Sequence, residues 1–143
     1  MSQENLELVR GLFEMSHRGL DLLKMGTAPL ELVYDRDVVF DLTDFEMEGM
    51  DYEYRGLDGA RRFWKQVLAA WSGLEWEAEF FERDDIVVAV LDQHSRAEAS
   101  GEEVHRIYAQ MFRFRDSRIV FWKPYAEPAD ALRAAGIDAE LPE

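Results

Sequence analysis

Apolar residues recur along the first part of the chain with the period of a helix. Leu6, Val9, Phe13, Ser16, Leu20 and Leu23 follow one another at alternating three- and four-residue steps, which predicts an amphipathic helix over 4–25. Gly26 closes it. Thr27 then caps a short second helix, with Pro29 in its first turn and Leu30, Val33 and Tyr34 as its apolar side. Val38-Val39-Phe40-Asp41-Leu42 reads as a strand, and the acidic stretch Thr43–Tyr54 as a loop or lid. A third helix opens at Gly56 and Asp58 and runs to about Trp71, with Ala60, Trp64, Val67 and Trp71 inward, Phe63 and Leu68 on the shoulders, and Gly73 as its stop.

From Leu74 the period changes to two. Leu74, Trp76, Ala78 and Phe80 alternate with Glu75, Glu77 and Glu79, the pattern of a strand buried on one face. Turns at Arg83-Asp84-Asp85, Ala99–Glu102 and Asp116-Ser117 separate three more strands, about 85–97, 103–115 and 118–126. Pro128 starts a terminal helix that Gly136 stops. Helices segregated from a four-strand antiparallel meander are the signature of an α+β fold, and 143 residues without a linker make one domain, 1–143.

Pleat arithmetic locates a candidate pocket. With the turn centred on Ser100, His94 opposes Arg106, Asp92 opposes Tyr108 and Val90 opposes Gln110, all on one face. The other face then holds Val87, Ala89, Leu91, Ile107, Ala109 and Met111. The mixed face is expected to line a cavity under the helices. The apolar face, with no helix of sufficient length left to cover it, is expected to form a homodimer interface. His105 falls on the opposite face of the sheet to His94 and is left outside the site. The last strand has two registers: a two-residue turn turns Phe121, Lys123 and Tyr125 to the cavity, whereas a bulge at Ser117 turns Val120, Trp122 and Pro124 there.

Composition narrows the partners. Sixteen basic against thirty acidic residues give a net charge of −14, which disfavours nucleic acid and anionic membranes. No apolar run reaches the roughly 18 residues of a membrane span. The start Met-Ser-Gln-Glu-Asn lacks a signal-peptide pattern and there is no cysteine, so a cytoplasmic location is the expectation. Three dispersed histidines without a paired motif predict no metal site, and no phosphate-binding glycine loop predicts a cofactor.

Tyr54-Arg55-Gly56 before the third helix, Arg115-Asp116-Ser117-Arg118-Ile119 between the last strands, and Trp122-x-x-Tyr125-x-Glu127-Pro128-Ala129-x-Ala131-Leu132 at the end resemble the nuclear transport factor 2-like superfamily. Within it the chain is most similar to the SnoaL-like polyketide cyclase and steroid isomerase-like group. The resemblance covers about Asn5 to Gly136. It implies a cone-shaped fold, with a strongly curved antiparallel sheet wrapped on a long N-terminal helix and the third helix. It also implies a homodimer, and it favours Trp122 facing the cavity. The group includes isomerases, cyclases, dehydratases, epoxide hydrolases and carriers, so the fold alone does not set the activity.

The chemistry expected is cofactor-free acid–base catalysis on a small apolar carbonyl or cyclic substrate. Asp41, at a strand end where steroid isomerase-like members resemble it by carrying their base, is one candidate base; a cap on the following loop is the other reading of it. Asp92 and His94, two residues apart on one strand face, are the other catalytic candidates, the alternative being a structural Asp–Arg pair. His17, Trp64, Val67, Trp71, Arg106, Tyr108, Gln110 and Trp122 are the candidate ligand-binding residues. Pro124 stands where the epoxide hydrolase-like members carry an acid, which argues against that reaction. A non-catalytic ligand-binding module and a dimeric interaction protein with a vestigial pocket are the competing readings.

Overall fold

The computed structural model of the chain describes residues 5–10, 33–45, 50–97 and 100–138, and within 68–76 the backbone alone. Residues 5–10 are helical; the remainder of the expected first helix, His17 included, lies outside the described residues. There follow β1 (Tyr34–Asp41), β2 (Glu53–Arg55), α1 (Gly56–Ala70), β3 (Trp71–Arg83), β4 (Ile86–Ala97), β5 (Glu103–Arg115), β6 (Arg118–Tyr125) and α2 (Pro128–Ala135). The strands form one six-stranded sheet in the order β2-β1-β6-β5-β4-β3. β1 runs parallel to β6, and every other pairing is antiparallel. The fold is α+β with a mixed sheet, and the expected β3–β6 meander is present.

The register of β4 on β5 differs by one residue from the sequence expectation. Opposed residues are His94 with His105, Asp92 with Ile107, Gln93 with Arg106, Leu91 with Tyr108 and Ala89 with Gln110. The loop explains the slip. Ala97 N–H donates to Glu102 O at 3.0 Å and Gly101 N–H to Ala97 O at 2.8 Å, so four residues, 98–101, span the turn. An odd number of residues, three or five, would have been needed to centre it on Ser100. Gly101 takes φ 70°, the left-handed conformation that glycine adopts without steric cost. A slip of one residue exchanges the faces of a strand, so the expected cavity face is divided between the two sides of the sheet.

On the inner side Val87, Ala89 and Leu91 share one buried cluster with Tyr108, Phe112 and Trp122 and with Ala60, Phe63 and Val67 of α1. Burying this apolar set is what holds the observed register. On the outer side Val88, Ala109 and Met111 pack beneath Ala131, Leu132 and Ala135 of α2. The apolar face proposed as a dimer patch therefore does not exist as such. Val87, Ala89 and Leu91 are core, Ala109 and Met111 are covered by α2, and Ile107 alone of the six is exposed. The sheet-on-sheet homodimer loses the surface on which it was argued.

β6 combines features of both expected registers. Asp116 (φ 50°) and Ser117 (φ 66°) form a two-residue turn with positive φ at both positions, as a type I′ hairpin requires. The register then shifts by one between the Phe114–Ile119 pair and the Arg113–Phe121 pair, leaving Val120 as the extra residue of a bulge. Trp122 consequently opposes Phe112 on the inner face, as expected, although the bulge falls at Val120 and not at Ser117.

Other boundaries move as well. Tyr34 opens β1 and is not helical, while α1 ends at Ala70, so Trp71 and Gly73 belong to β3. Phe63, assigned to a shoulder of the helix, is central: its ring lies 4.8 Å from that of Phe40 and 5.1 Å from that of Trp122, and Phe40 and Trp122 are 5.3 Å apart. This triangle joins α1 to β1 and β6, and each such ring pair adds about 0.5–1.5 kcal/mol beyond its buried area. At the end of α2, Gly136 (φ 72°) donates to Arg133 O and Ile137 to Leu132 O, satisfying carbonyls of the last turn. Among the described residues no helix is long and apolar enough to cross a membrane.

Ser117 occupies a left-handed conformation that costs a non-glycine residue about 1–2 kcal/mol. Ser117→Gly is expected to raise the unfolding free energy by about 0.5–1 kcal/mol after the extra unfolded-state entropy of glycine is subtracted, read as a higher urea midpoint at unchanged slope.

Candidate functional site

The inner faces of β4, β5 and β6 carry a row of neutral polar side chains within an aromatic wall. Trp122 Nε1 donates to Gln110 Oε1 at 3.0 Å, Gln110 Nε2 donates to the Tyr108 hydroxyl at 2.9 Å, and that hydroxyl donates to Gln93 Oε1 at 2.6 Å. Strand pairing builds the row: Phe112 opposes Trp122, while Tyr108 and Gln110 follow at alternate positions of β5 and Gln93 lies diagonal to Tyr108 on β4. Tyr108 and Trp122 are buried, and Gln93 and Gln110 half-buried. Beyond Gln93 on the same face, the buried Ser95 Oγ has no hydrogen-bond partner among the described residues.

Aromatic groups frame the row. Phe45, from the segment after β1, lies 5.1 Å from the Tyr108 ring, and the Arg106 guanidinium sits 4.8 Å above Phe45. On the α1 side, Trp64 Nε1 donates to the Tyr34 hydroxyl at 3.1 Å. Burial pushes the Tyr34 phenol far above its ordinary range, with the Trp64 hydrogen bond only partly offsetting this, so it remains a neutral phenol at any physiological pH. Of the eight expected ligand-binding residues, Trp64, Val67, Tyr108, Gln110 and Trp122 share this inner region. Arg106 belongs to its exposed rim. His17 and the Trp71 side chain lie outside the described residues. Gln93 and Phe45 went unnoticed in the sequence.

The three expected catalytic residues lie on the opposite side of the sheet. Val39 pairs with Phe121 and Phe40 with Trp122, so Asp41 points away from Trp122. Its Oδ1 accepts from Thr43 N–H at 2.9 Å and from the Thr43 hydroxyl at 2.6 Å, and its Oδ2 is 3.7 Å from Lys123 Nζ. Lys123 also pairs with Asp44 at 2.7 Å. Partial burial would raise the Asp41 pKa, but the two Thr43 hydrogen bonds and Lys123 outweigh it and hold the carboxyl below its ordinary value. Asp41 thus caps the following loop, and its carboxyl lies below and not above its ordinary range.

Asp92 and His94 also lie outward, without Arg106 or Tyr108 for neighbours. Their partner is His105, the histidine set aside on the sequence register. Its ring stacks on that of His94 with centroids 4.3 Å apart and planes 7° from parallel. His105 Nε2 is 2.5 Å from Asp92 Oδ1, and His94 Nε2 is 3.6 Å from the same oxygen. Two of the three histidines are thus adjacent and not dispersed. A sequence signal for this existed: the even positions of β4 end in Asp92, His94 and Arg96, the odd ones in Gln93 and Ser95. Charged side chains favour the solvent face when a neutral alternative can turn inward.

A family model for the SnoaL-like domain matches residues 26–122. The chain belongs to this family. No curated protein matches it. Solved structures similar to it include an NTF2-like protein of unknown function from Burkholderia pseudomallei, with TM-score 0.71, 20% identity, and coverage of 94% of this chain and 98% of that one. Another, named provisionally as a SnoaL-like polyketide cyclase, is from Jannaschia sp., with TM-score 0.72, 14% identity, and coverage of 96% and 95%. A third, named provisionally as an isomerase, is from Bacillus subtilis, with TM-score 0.67, 18% identity, and coverage of 95% of both chains. At these identities the likeness is one of fold, and SnoaL-like membership does not by itself assign a reaction.

Because its folded pKa is depressed, Asp41 contributes stability that is present above its unfolded pKa of about 3.9 and is lost as pH falls through the lower folded value. Asp41→Asn is expected to lower stability at pH 6 and to lose less than the parent chain as pH drops from about 4 to 2, as read by urea unfolding across that range.

Proposed function

We propose that this SnoaL-like chain binds a small, largely apolar molecule against the inner sheet face and orients it by one carbonyl or hydroxyl oxygen. The observation that carries this reading is the Trp122–Gln110–Tyr108–Gln93 hydrogen-bond chain, set among Phe45, Trp64 and Val67. Few polar groups in an apolar wall are the usual composition of a small-molecule site. The chain is made of an indole, two amides and a phenol, with no carboxylate, ammonium or guanidinium among them, so it selects hydrogen-bonding ligands over ionic ones. The contacts of Gln110 engage one of its N–H groups and its carbonyl oxygen, and an amide carries two N–H donors and two lone pairs. A ligand oxygen can therefore join the chain without dismantling it.

The names of the Jannaschia and Bacillus proteins favour a second reading, a cofactor-free cyclase or isomerase. In that reading the Tyr108 hydroxyl, whose proton now goes to Gln93, turns to a developing oxyanion on the substrate. Asp41 and Asp92 have no part in it, since the sheet separates them from Tyr108. The binding reading is preferred because the inner row supplies hydrogen bonds but none of the expected carboxylate bases.

Titration of tryptophan fluorescence with aromatic ketones and phenols tests this. Tyr108→Phe and Gln110→Leu are expected to weaken binding about tenfold each, equivalent to about 1.4 kcal/mol. Asp41→Asn and Asp92→Asn are expected to leave it within about twofold. Loss of binding in the Asp variants with no change in Tyr108→Phe would reject the inner-face site. Turnover of any bound ketone that disappears in Tyr108→Phe would favour the cyclase or isomerase reading.

A further inference from the structure

We propose that Asp92, His94 and His105 form a binding site for a divalent transition-metal ion, with zinc as the reference ion, on the outer face of the sheet. The site is separate from the inner-face row and does not depend on it.

The backbone brings the three residues together. His94 and His105 are directly opposed on β4 and β5, and Asp92 precedes His94 by two residues on the same face. The near-parallel rings, 7° apart with centroids at 4.3 Å, lie beside Asp92, whose Oδ1 is 2.5 Å from the His105 Nε2 and 3.6 Å from the His94 Nε2. One ligand atom from each residue falls within 4.8 Å of the other two. Two imidazoles and one carboxylate suit zinc, cobalt, nickel or copper, whereas magnesium and calcium prefer oxygen donors. At zinc–nitrogen distances of about 2.0–2.1 Å, tetrahedral donors are about 3.3 Å apart. The present separations bracket that spacing.

Imidazole nitrogens bind through lone pairs in the ring plane, so the stacked rings must tilt for both Nε2 atoms to converge on one ion. The Asp92, His94 and His105 side chains are 39%, 60% and 54% exposed, which leaves χ rotation open to make that tilt and to part the His105–Asp92 contact. The backbone beneath is rigid by construction, since β4 is paired on both sides, to β3 and β5. Three protein ligands leave at least one coordination position facing solvent, as in zinc sites that keep an exchangeable ligand. Charge favours a cation there. Asp92 opposes Glu77, an exposed residue of β3, and the whole chain carries −14.

Metal-free, the same three groups can hold a proton between His105 and Asp92, and that is the competing account of their contact. Equilibrium dialysis of the full chain against zinc chloride, with metal analysis of both compartments, separates the two. Binding of about one zinc per chain is expected. It should survive excess magnesium and weaken at least about tenfold in His94→Ala and in His105→Ala. Cobalt(II) added in place of zinc is expected to give visible absorption that both variants lose. The chain has no cysteine and only one other histidine, His17, which makes the control simple. No saturable zinc binding by the parent chain, or zinc binding retained in the His94→Ala, His105→Ala double variant, overturns the proposal. Loss of binding in His17→Ala alone does so too. Circular dichroism and the urea midpoint of each variant show that a loss of zinc is not a loss of fold.

Discussion

The pairing of β4 with β5 is the constraint on which the remaining structure depends. Four residues in the connecting loop set Leu91 against Tyr108 and His94 against His105. The burial of Val87, Ala89 and Leu91 in the inner core then locks the choice, because shifting by one would turn Asp92 and His94 into the core. Burying the Asp92 carboxylate away from a suitable partner costs several kcal/mol, and the polar His94 ring adds to that cost. The alternative register is excluded by the core as much as by the turn.

Two chemically different faces follow from that pairing. The inner one joins α1, β1 and β6 through the Phe40–Phe63–Trp122 triangle and keeps its polar atoms neutral and mutually bonded. The outer one is divided. α2 covers its apolar part over Val88, Ala109 and Met111, while the part beyond carries the titratable side chains, Asp92, His94 and His105 among them. Asp41 belongs to that same outer side, where Thr43 and Lys123 hold it as a structural carboxylate. The neutral hydrogen-bonded row and the outward Asp92, His94 and His105 are therefore separated by the thickness of a sheet.

What was legible in the sequence was what short-range pattern controls. The period-two run from Leu74, the turn residues at Asp84-Asp85 and Asp116-Ser117, and Pro128 with Gly136 around α2 all state local geometry, and the strands and α2 lie close to where they point. The α+β class follows from their order. Trp64 and Val67 were recognisable as inner residues from the apolar stripe of a helix, and Tyr108, Gln110 and Trp122 from alternate positions of strands. Phe45 was not, because its position depends on how the segment after β1 folds back against Tyr108.

By itself, then, the sequence determined the fold class, the meander and the identity of the chemically able residues, since propensity and periodicity are properties of neighbours in the chain. Only the tertiary structure decided which of those residues meet. Strand faces alternate with a period of two, so a single residue in the loop at 98–101 and a single bulge at Val120 decide every cross-strand neighbour. Neither is written in the hydrophobic pattern of the strands. That one residue separates Asp92 from Tyr108 and joins it to His105, moving the strand's charged pair from the expected pocket to the outer surface of the sheet.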